Sequence, residues 1–187
     1  MIKIECSRLY IRDHLLEDLP GYHRIMSDKE AMFFLPDLLS ETLEESRLSL
    51  KISIEESYRG DDRTKYFWGI FLKDDTYIGE IGYTVNSIDD QRYKCVHLGY
   101  FIHQDHWNKG YVSEAVAAVI NFAFTSNNVI KIETGCLCNN QYSERIMVKN
   151  GFQRESYKKQ NQWLECKWYD RVEYGLLRDQ YLQIDQG

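Results

Sequence analysis

Within this 187-residue chain, Trp107-Asn108-Lys109-Gly110-Tyr111-Val112-Ser113-Glu114-Ala115 is the stretch whose residue types and spacing point most directly to chemistry. It follows a predicted strand, Cys95–Ile102, across a short polar link of His103, Gln104, Asp105 and His106. It opens a predicted long helix whose apolar positions Val112, Val116, Val119, Ile120, Ala123 and Phe124 recur at helical spacing. A strand, a glycine-bearing turn and a helix start gather backbone N–H groups at the positive end of the helix dipole. Such a place suits a phosphate or pyrophosphate. Taken alone, the same residues also fit an ordinary strand-to-helix connection with one glycine.

Two titratable side chains on predicted strands could move a proton. His97 shares a face with Gly99 and Phe101, and the histidine pKa suits proton removal near pH 7. Glu80 stands between Ile78-Gly79 and Ile81-Gly82, where a carboxylate costs free energy unless it has a partner or a task. A satisfied, half-buried histidine is the other reading of His97. His103 and His106 could begin a metal site, but no third or fourth ligand stands near them, and no metal is expected. The five cysteines (Cys6, Cys95, Cys136, Cys138, Cys166) form no CxxC pair. They read as reduced thiols of a cytoplasmic protein.

The elements that must position these residues follow from periodicity. Ile4–Arg12 reads as a first strand, and a helix is expected over about Leu15–Met26, with Pro20 near its first turns. Lys29–Leu35 fits a short helical turn. Thr42-x-x-Glu45 resembles a capping box, ahead of Leu43, Leu50, Ile54 and Tyr58 at helical spacing. Tyr66–Leu72 and Tyr77–Val85 read as a hairpin around Lys73–Thr76. Beyond a polar loop at Ser87–Gln91 come strand Cys95–Ile102, a helix of about Gly110–Thr125 and strand Val129–Cys138. A helix over Gln141–Lys149 ends on the C-cap signature Asn150-Gly151. Strands near Phe152–Lys159 and Lys167–Leu177 close the chain. Antiparallel strands followed by helical crossovers imply an α/β or α+β fold with one mixed sheet and one core.

Composition narrows the partners. The length fits one domain, residues 1–187, with a substantial core. Net charge is −6, with no dense Lys/Arg run, which weighs against nucleic acid. No apolar run could span a bilayer, so no membrane partner is expected, and the N-terminus lacks an apolar signal core. Acidic residues outnumber basic ones over 37–62, which suits either a solvated helix face or a wall that attracts a cationic substrate. Trp163, Trp168 and Tyr169 near the closing strands would suit a homodimer interface, a substrate lid or plain hairpin packing.

In order along the chain stand Ser7-Arg8-Leu9-Tyr10-Ile11-Arg12, Ile78-Gly79-Glu80-Ile81-Gly82, Leu98-Gly99-Tyr100-Phe101-Ile102 and Lys109–Ala115. Asn140-x-x-Ser143, Lys149-x-Gly151-Phe152 and Asp170-x-x-x-Tyr174 follow. With these motifs the chain resembles the GNAT superfamily of acyl-CoA-dependent N-acyltransferases, most closely its RimJ/RimL-type branch. The resemblance implies a mostly antiparallel sheet of about seven strands with helices on both faces. The site would lie between two splayed parallel strands, here Cys95–Ile102 and Val129–Cys138. Backbone groups of Phe101 and Ile102 would receive the pantetheine arm of acetyl-CoA as a neighbouring strand would. The pyrophosphate would rest on the amides of Asn108, Lys109, Gly110, Tyr111, Val112 and Ser113. Gly110 would serve close approach of the phosphates or a left-handed turn. Asn140 and Lys149 would add cofactor contacts. The superfamily pattern in the loop is Gln/Arg-x-x-Gly-x-Gly/Ala, and here Trp107 and Val112 hold the first and last places. The branch also often has a glycine where Asn108 stands.

Acyl transfer from a thioester to an amine needs removal of the amine's proton, a donor for the carbonyl oxygen and a donor for the departing thiolate. Many superfamily members use a tyrosine for the last role, at the place where this chain has Met147. The branch resembles this chain in Asn-x-x-Ser, so Ser143 is the expected thiolate donor, with helix capping as its other reading. His97, Glu80 or a water chain would take the proton. The resemblance thus implies a cytoplasmic N-acetyltransferase that uses acetyl-CoA on a small-molecule amine or a protein N-terminal amine. A CoA-binding sensor or partner-binding module without turnover is the alternative. A P-loop nucleotide-binding protein is excluded, because no G-x-x-x-x-G-K-[S/T] is present.

Overall fold

The computed structural model describes residues 1–184, and the chain forms two compact units. Met1–Thr84 with Gly99–Val119 makes the first, and Val85–Leu98 with the chain from Ile120 onward makes the second. The fold class is the expected one, a mostly antiparallel sheet with helices, although the described residues form eight strands where about seven were expected.

The extra strand comes from the N-terminus. The expected strand Ile4–Arg12 is broken into β1 (Lys3–Glu5) and β2 (Leu9–Asp13), an antiparallel hairpin. Its turn is closed by the Cys6 N–H donating to the Leu9 carbonyl at 3.0 Å. β2 pairs antiparallel with β3 (Lys65–Leu72), and β3 with β4 (Tyr77–Ile88). Ile70 pairs with Gly79 but Phe71 with Tyr77, so Ile78 is an extra residue, a β-bulge. A strand alternates faces with period 2, so residues three apart ordinarily point oppositely. The bulge shifts the alternation and lets Tyr77 and Glu80 meet on one face, with the Tyr77 hydroxyl donating to Glu80 Oε1 at 2.8 Å. β5 (Lys94–Ile102) contributes Gly99–Ile102 to this unit, tied to β4 by the His103 N–H donating to the Ile78 carbonyl at 2.9 Å.

Helix α1 (Leu19–Met26) is preceded by a 3₁₀ turn at Leu16–Asp18, so it starts four residues later than expected, with Pro20 in its first turn. α2 (Leu43–Ser57) carries the expected capping box: the Glu45 N–H donates to Thr42 Oγ1 and the Thr42 N–H to the Glu45 carboxylate. Its buried side differs from the expected stripe. Leu43 and Tyr58 face solvent, while Ser46, Leu50, Ser53 and Glu56 turn inward. Serines serve there because Ser46 bonds His23 and Ser49 bonds Tyr22, both on α1. Leu19, Tyr22, Ile25, Met26, Met32 and Leu50 form the core, with Tyr77 and Phe101 packed on it.

In the second unit, β5 pairs in parallel with β6 (Val129–Leu137) from Lys94 to His97. β6 then runs antiparallel to β8 (Lys167–Leu177), and β8 to β7 (Gln153–Leu164). β7 extends five residues past its expected end, making a long hairpin. α3 (Tyr111–Ser126) and α4 (Gln141–Lys149) lie within a residue of expectation. α4 closes on Gly151 at φ +84°, with the Phe152 N–H donating to the Met147 carbonyl and the Gly151 N–H to that of Val148. That is a Schellman cap, with the Met147 and Phe152 side chains both buried. α5 (Arg178–Ile184) was not foreseen. Among the described residues no helix is long and apolar enough to cross a membrane, and no group of three or more His, Cys, Asp or Glu could hold a metal.

Candidate active site

In the first unit the turn between β5 and α3 has two left-handed residues, Asn108 at φ +59° and Gly110 at φ +79°. Asparagine tolerates that conformation better than most residues, which accounts for it where the related branch often has glycine. A Cβ on Gly110 would come no nearer than 3.4 Å to Arg8 Nη2, an ordinary contact. Backbone conformation, not local crowding, is therefore what this glycine satisfies in the chain itself. The first intrahelical bond of α3 runs from the Glu114 N–H to the Gly110 carbonyl. The amides ahead of it are those a helix leaves without an intrahelical acceptor, at the positive end of its dipole.

Side chains around the turn hold it in shape. The Trp107 indole N–H donates to the Ile102 carbonyl at 2.9 Å, folding the loop back on the end of β5. Lys109 Nζ donates to the Asp105 carbonyl at 2.8 Å. Arg8, from the β1–β2 turn, donates through Nη1 to the Lys109 carbonyl and through Nε to the Glu114 carboxylate. Phe101 and Ile102, both expected to offer backbone groups to a pantetheine arm, do not point the same way. The Phe101 carbonyl is turned toward Gly79 of β4, where a Cβ would meet it at 2.4 Å. Successive residues of a strand direct their backbone groups to opposite sides. Ile102 is therefore the one of the two with its carbonyl on the outer edge, where Trp107 already engages it.

Glu80 lies on the same unit, one residue from Gly79, which backs on Ile102. It is buried and has partners. Besides Tyr77, His14 Nε2 stands 2.7 Å from Glu80 Oε1 as an ion pair. The other His14 nitrogen is 3.7 Å from Asp18, and Asp18 receives both Nη groups of Arg12 at 2.7 and 2.8 Å. Burial alone would lower the His14 pKa, but the charges of Glu80 and Asp18 and their bonds outweigh it and push it up to about 9. Burial likewise opposes ionisation of Asp18, yet bonds from His14, Arg12 and the Leu15 amide pull its pKa down to about 2. No sequence pattern marks His14, because the bulge that aligns Tyr77 and Glu80 beside it is invisible to periodicity.

In the second unit, His97 pairs across the parallel ladder with Glu133 and is partly buried. Burial first, then the charge of Arg171, lowers its pKa, which leaves a neutral imidazole at pH 7. Ser143 sits in the first turn of α4. The cap is Asn140, whose Oδ1 accepts the Ser143 N–H at 3.1 Å. Capping therefore does not consume the Ser143 hydroxyl, which instead contacts the Cys136 thiol. Burial, reinforced by the charge of Glu144, pushes that thiol up to about 11 against the Ser143 bond. Tyr174 donates to Glu144 at 2.6 Å and pins the same helical turn to β8. Met147 is fully buried, and Lys149 lies exposed in the last turn.

The structure thus gathers Glu80, Phe101, Ile102 and the 108–113 turn in one unit, and His97, Asn140, Ser143 and Lys149 in the other. Arg8, His14, Trp107 and Tyr174 were missed as supporting residues. Arg8 and Tyr174 stood within motifs noted in the sequence but carried no evident role there.

Residues 8–153 match the acetyltransferase (GNAT) domain. The uncharacterized N-acetyltransferase YnaD of Bacillus subtilis is 27% identical over 179 residues, 95% of this chain and 98% of that protein. The [ribosomal protein uS5]-alanine N-acetyltransferase of Escherichia coli is 26% identical over 107 residues, 57% of this chain and 55% of that protein. Among solved structures, RimL, a ribosomal L7/L12 α-N-protein acetyltransferase in complex with coenzyme A, superposes with a TM-score of 0.80. It shares 20% identity, covering 94% of this chain and 98% of that one. A spermidine N-acetyltransferase chimera from Vibrio cholerae and hSSAT gives 0.78 at 18% identity, covering 94% and 99%.

Proposed function

Because the chain belongs to the GNAT acetyltransferase family and is an acyltransferase of that type, we propose that it transfers the acetyl group of acetyl-CoA to a primary amine by direct attack in a ternary complex. The observation that carries this reading is the doubly left-handed turn Asn108–Gly110 opening onto α3, a cradle of backbone amides that fits a diphosphate. Bound acetyl-CoA supplies the activated thioester. Asn108, Lys109, Gly110, Tyr111, Val112 and Ser113 hold the diphosphate, and the outer edge of β5 at Ile102 guides the arm, the Phe101 carbonyl being turned to β4. Asn140 and Lys149 add contacts to the cofactor.

Ser143, in the first turn of α4 behind its cap Asn140, donates to the departing thiolate. His97, neutral at pH 7, accepts the amine's proton directly or through water. Glu80 is the weaker candidate, since one of its oxygens already serves His14 and Tyr77. The acceptor is a protein N-terminal amine or a small amine such as a polyamine. Named relatives that act on ribosomal proteins and a solved spermidine acetyltransferase both support an amine.

The test is to incubate the protein with acetyl-CoA and N-terminal peptides, polyamines, amino acids and aminoglycosides, and to look for a 42 Da gain, about one acetyl group, by mass spectrometry. Ser143→Ala run alongside is expected to cut the rate by about 10²-fold. Undiminished acetylation by Ser143→Ala would remove the donor role. Saturable acetyl-CoA binding with no product on any amine would favour the non-catalytic CoA binder.

A further inference from the structure

Arg8 lies a hundred residues from the diphosphate turn in sequence, yet its side chain and its own amide bind that turn and the helix it opens. The Arg8 N–H donates to Glu114 Oε1 at 2.8 Å and Nε to Glu114 Oε2 at 2.7 Å. Nη1 donates to the Lys109 carbonyl at 2.8 Å. The guanidinium lies over the Tyr111 ring, 4.9 Å from its centroid, and Nη2 is the nearest atom to the vacant Cβ position of Gly110. One planar cation thus engages residues 109, 111 and 114 together.

Two physical consequences follow. A trans peptide plane directs its C=O and N–H oppositely, so a carbonyl of Lys109 anchored on Arg8 turns the Gly110 N–H away from Arg8. Glu114, one turn into α3, puts a carboxylate near the place a diphosphate must occupy, and like charges there oppose binding. Arg8 offsets that charge: although partial burial raises the Glu114 pKa, the bonds from Arg8 lower it further. We infer that Arg8 is the positioning residue of the diphosphate cradle, aiming the Gly110 N–H and cancelling the charge of Glu114. This rests on the reading that the turn receives the diphosphate of acetyl-CoA.

The test compares wild type with Arg8→Gln and Arg8→Gln/Glu114→Gln. CoA binding is measured by calorimetry, and turnover with two donors, acetyl-CoA and S-acetylpantetheine, which lacks the diphosphate. Arg8→Gln is expected to weaken CoA binding and raise KM for acetyl-CoA by about tenfold, with kcat changed less than about twofold. Its kcat/KM for S-acetylpantetheine stays at the wild-type value, which a general structural defect would not allow. Removing Glu114 as well recovers part of the lost affinity. Wild-type CoA affinity in folded Arg8→Gln, or an equal loss with both donors, would overturn the inference while leaving the acetyl-CoA reading intact. A wild-type protein that binds no CoA would overturn both.

Discussion

At the scale of single residues, the chain Arg12–Asp18–His14–Glu80–Tyr77 concentrates charge in the interior of the first unit, and charge there must be compensated. His14 is wholly buried, so its protonated form exists only because Glu80 and Asp18 flank it. Tyr22 and Tyr77 pack around its ring as further titratable neighbours. Both have pKa values pushed upward, by burial first and then by the charge of Glu80, and stay neutral through the relevant range. The His14 pKa rises from 6.5 when unfolded to about 9 when folded, so folding takes up a proton between those values. Its stabilisation is complete below about pH 6.5 and is lost as pH rises through about 9. Thermal melts between pH 6 and 9.5 are expected to show stability falling by on the order of 3 kcal/mol from this group. His14→Gln should lower the melting point at pH 6 and flatten that slope. An unchanged alkaline slope in His14→Gln would remove the assignment. Asp18 works at the other end of the scale, contributing above about pH 4 and losing its contribution toward about 2.

Among the elements, those legible in the sequence are the ones whose ends carry their own chemistry. Thr42 with Glu45, Asn150-Gly151, and Gly110 each satisfy a local backbone demand, so α2, α3 and α4 lie within a residue or two of expectation. What escaped has no local signature. The break at Cys6–Arg8 interrupts an unbroken alternation, and the Ile78 bulge shows only in the register of β3 against β4. The inward serines of α2 answer to α1, a tertiary demand that overrode the apolar stripe. The expected cofactor residues were readable as a turn, but the partition of Phe101 and Ile102 onto opposite strand edges needed the pairing partner of β5. Gly110→Ala separates the conformational demand of the turn from its space. At φ +79° the alanine costs roughly 1 kcal/mol in backbone strain, while the neighbouring Arg8 contact at 3.4 Å is tolerable. The expected result is a melting point lowered by about 3 °C with KM for acetyl-CoA raised severalfold, because the turn relaxes away from its left-handed form. A variant with unaltered stability and KM would mean that the turn does not depend on that conformation.

For the molecule as a whole, the five cysteines give a reading of its folding state. None is joined to another, so no covalent link contributes to stability and reductant should leave the melting point unchanged. Their reactivity is nonetheless graded by the fold, since the thiolate is the reacting form. Burial pushes Cys6 and Cys136 up to about 11, with Glu114 and Glu144 respectively adding to the shift. Cys138 is raised as well, by burial and then by Asp170. Cys166 lies exposed at the turn of the β7–β8 hairpin, open to the reagent. Alkylation of the native protein at pH 8 is therefore expected to mark Cys166 first, and Cys136 only on unfolding, when all five become accessible to the reagent. Peptide mapping at successive times checks the order. Early labelling of Cys136 would show that the turn of α4 bearing Ser143 opens in solution, since the Ser143 hydroxyl lies against that thiol. Saturating acetyl-CoA, whose sulfur is blocked as a thioester and does not consume the reagent, supplies the sharper version of the experiment. If Ser143 stands at the thiol end of the cofactor, acetyl-CoA should slow whatever residual labelling Cys136 shows while leaving that of Cys166 unchanged, and rates unaltered by acetyl-CoA at both positions would place the cofactor elsewhere.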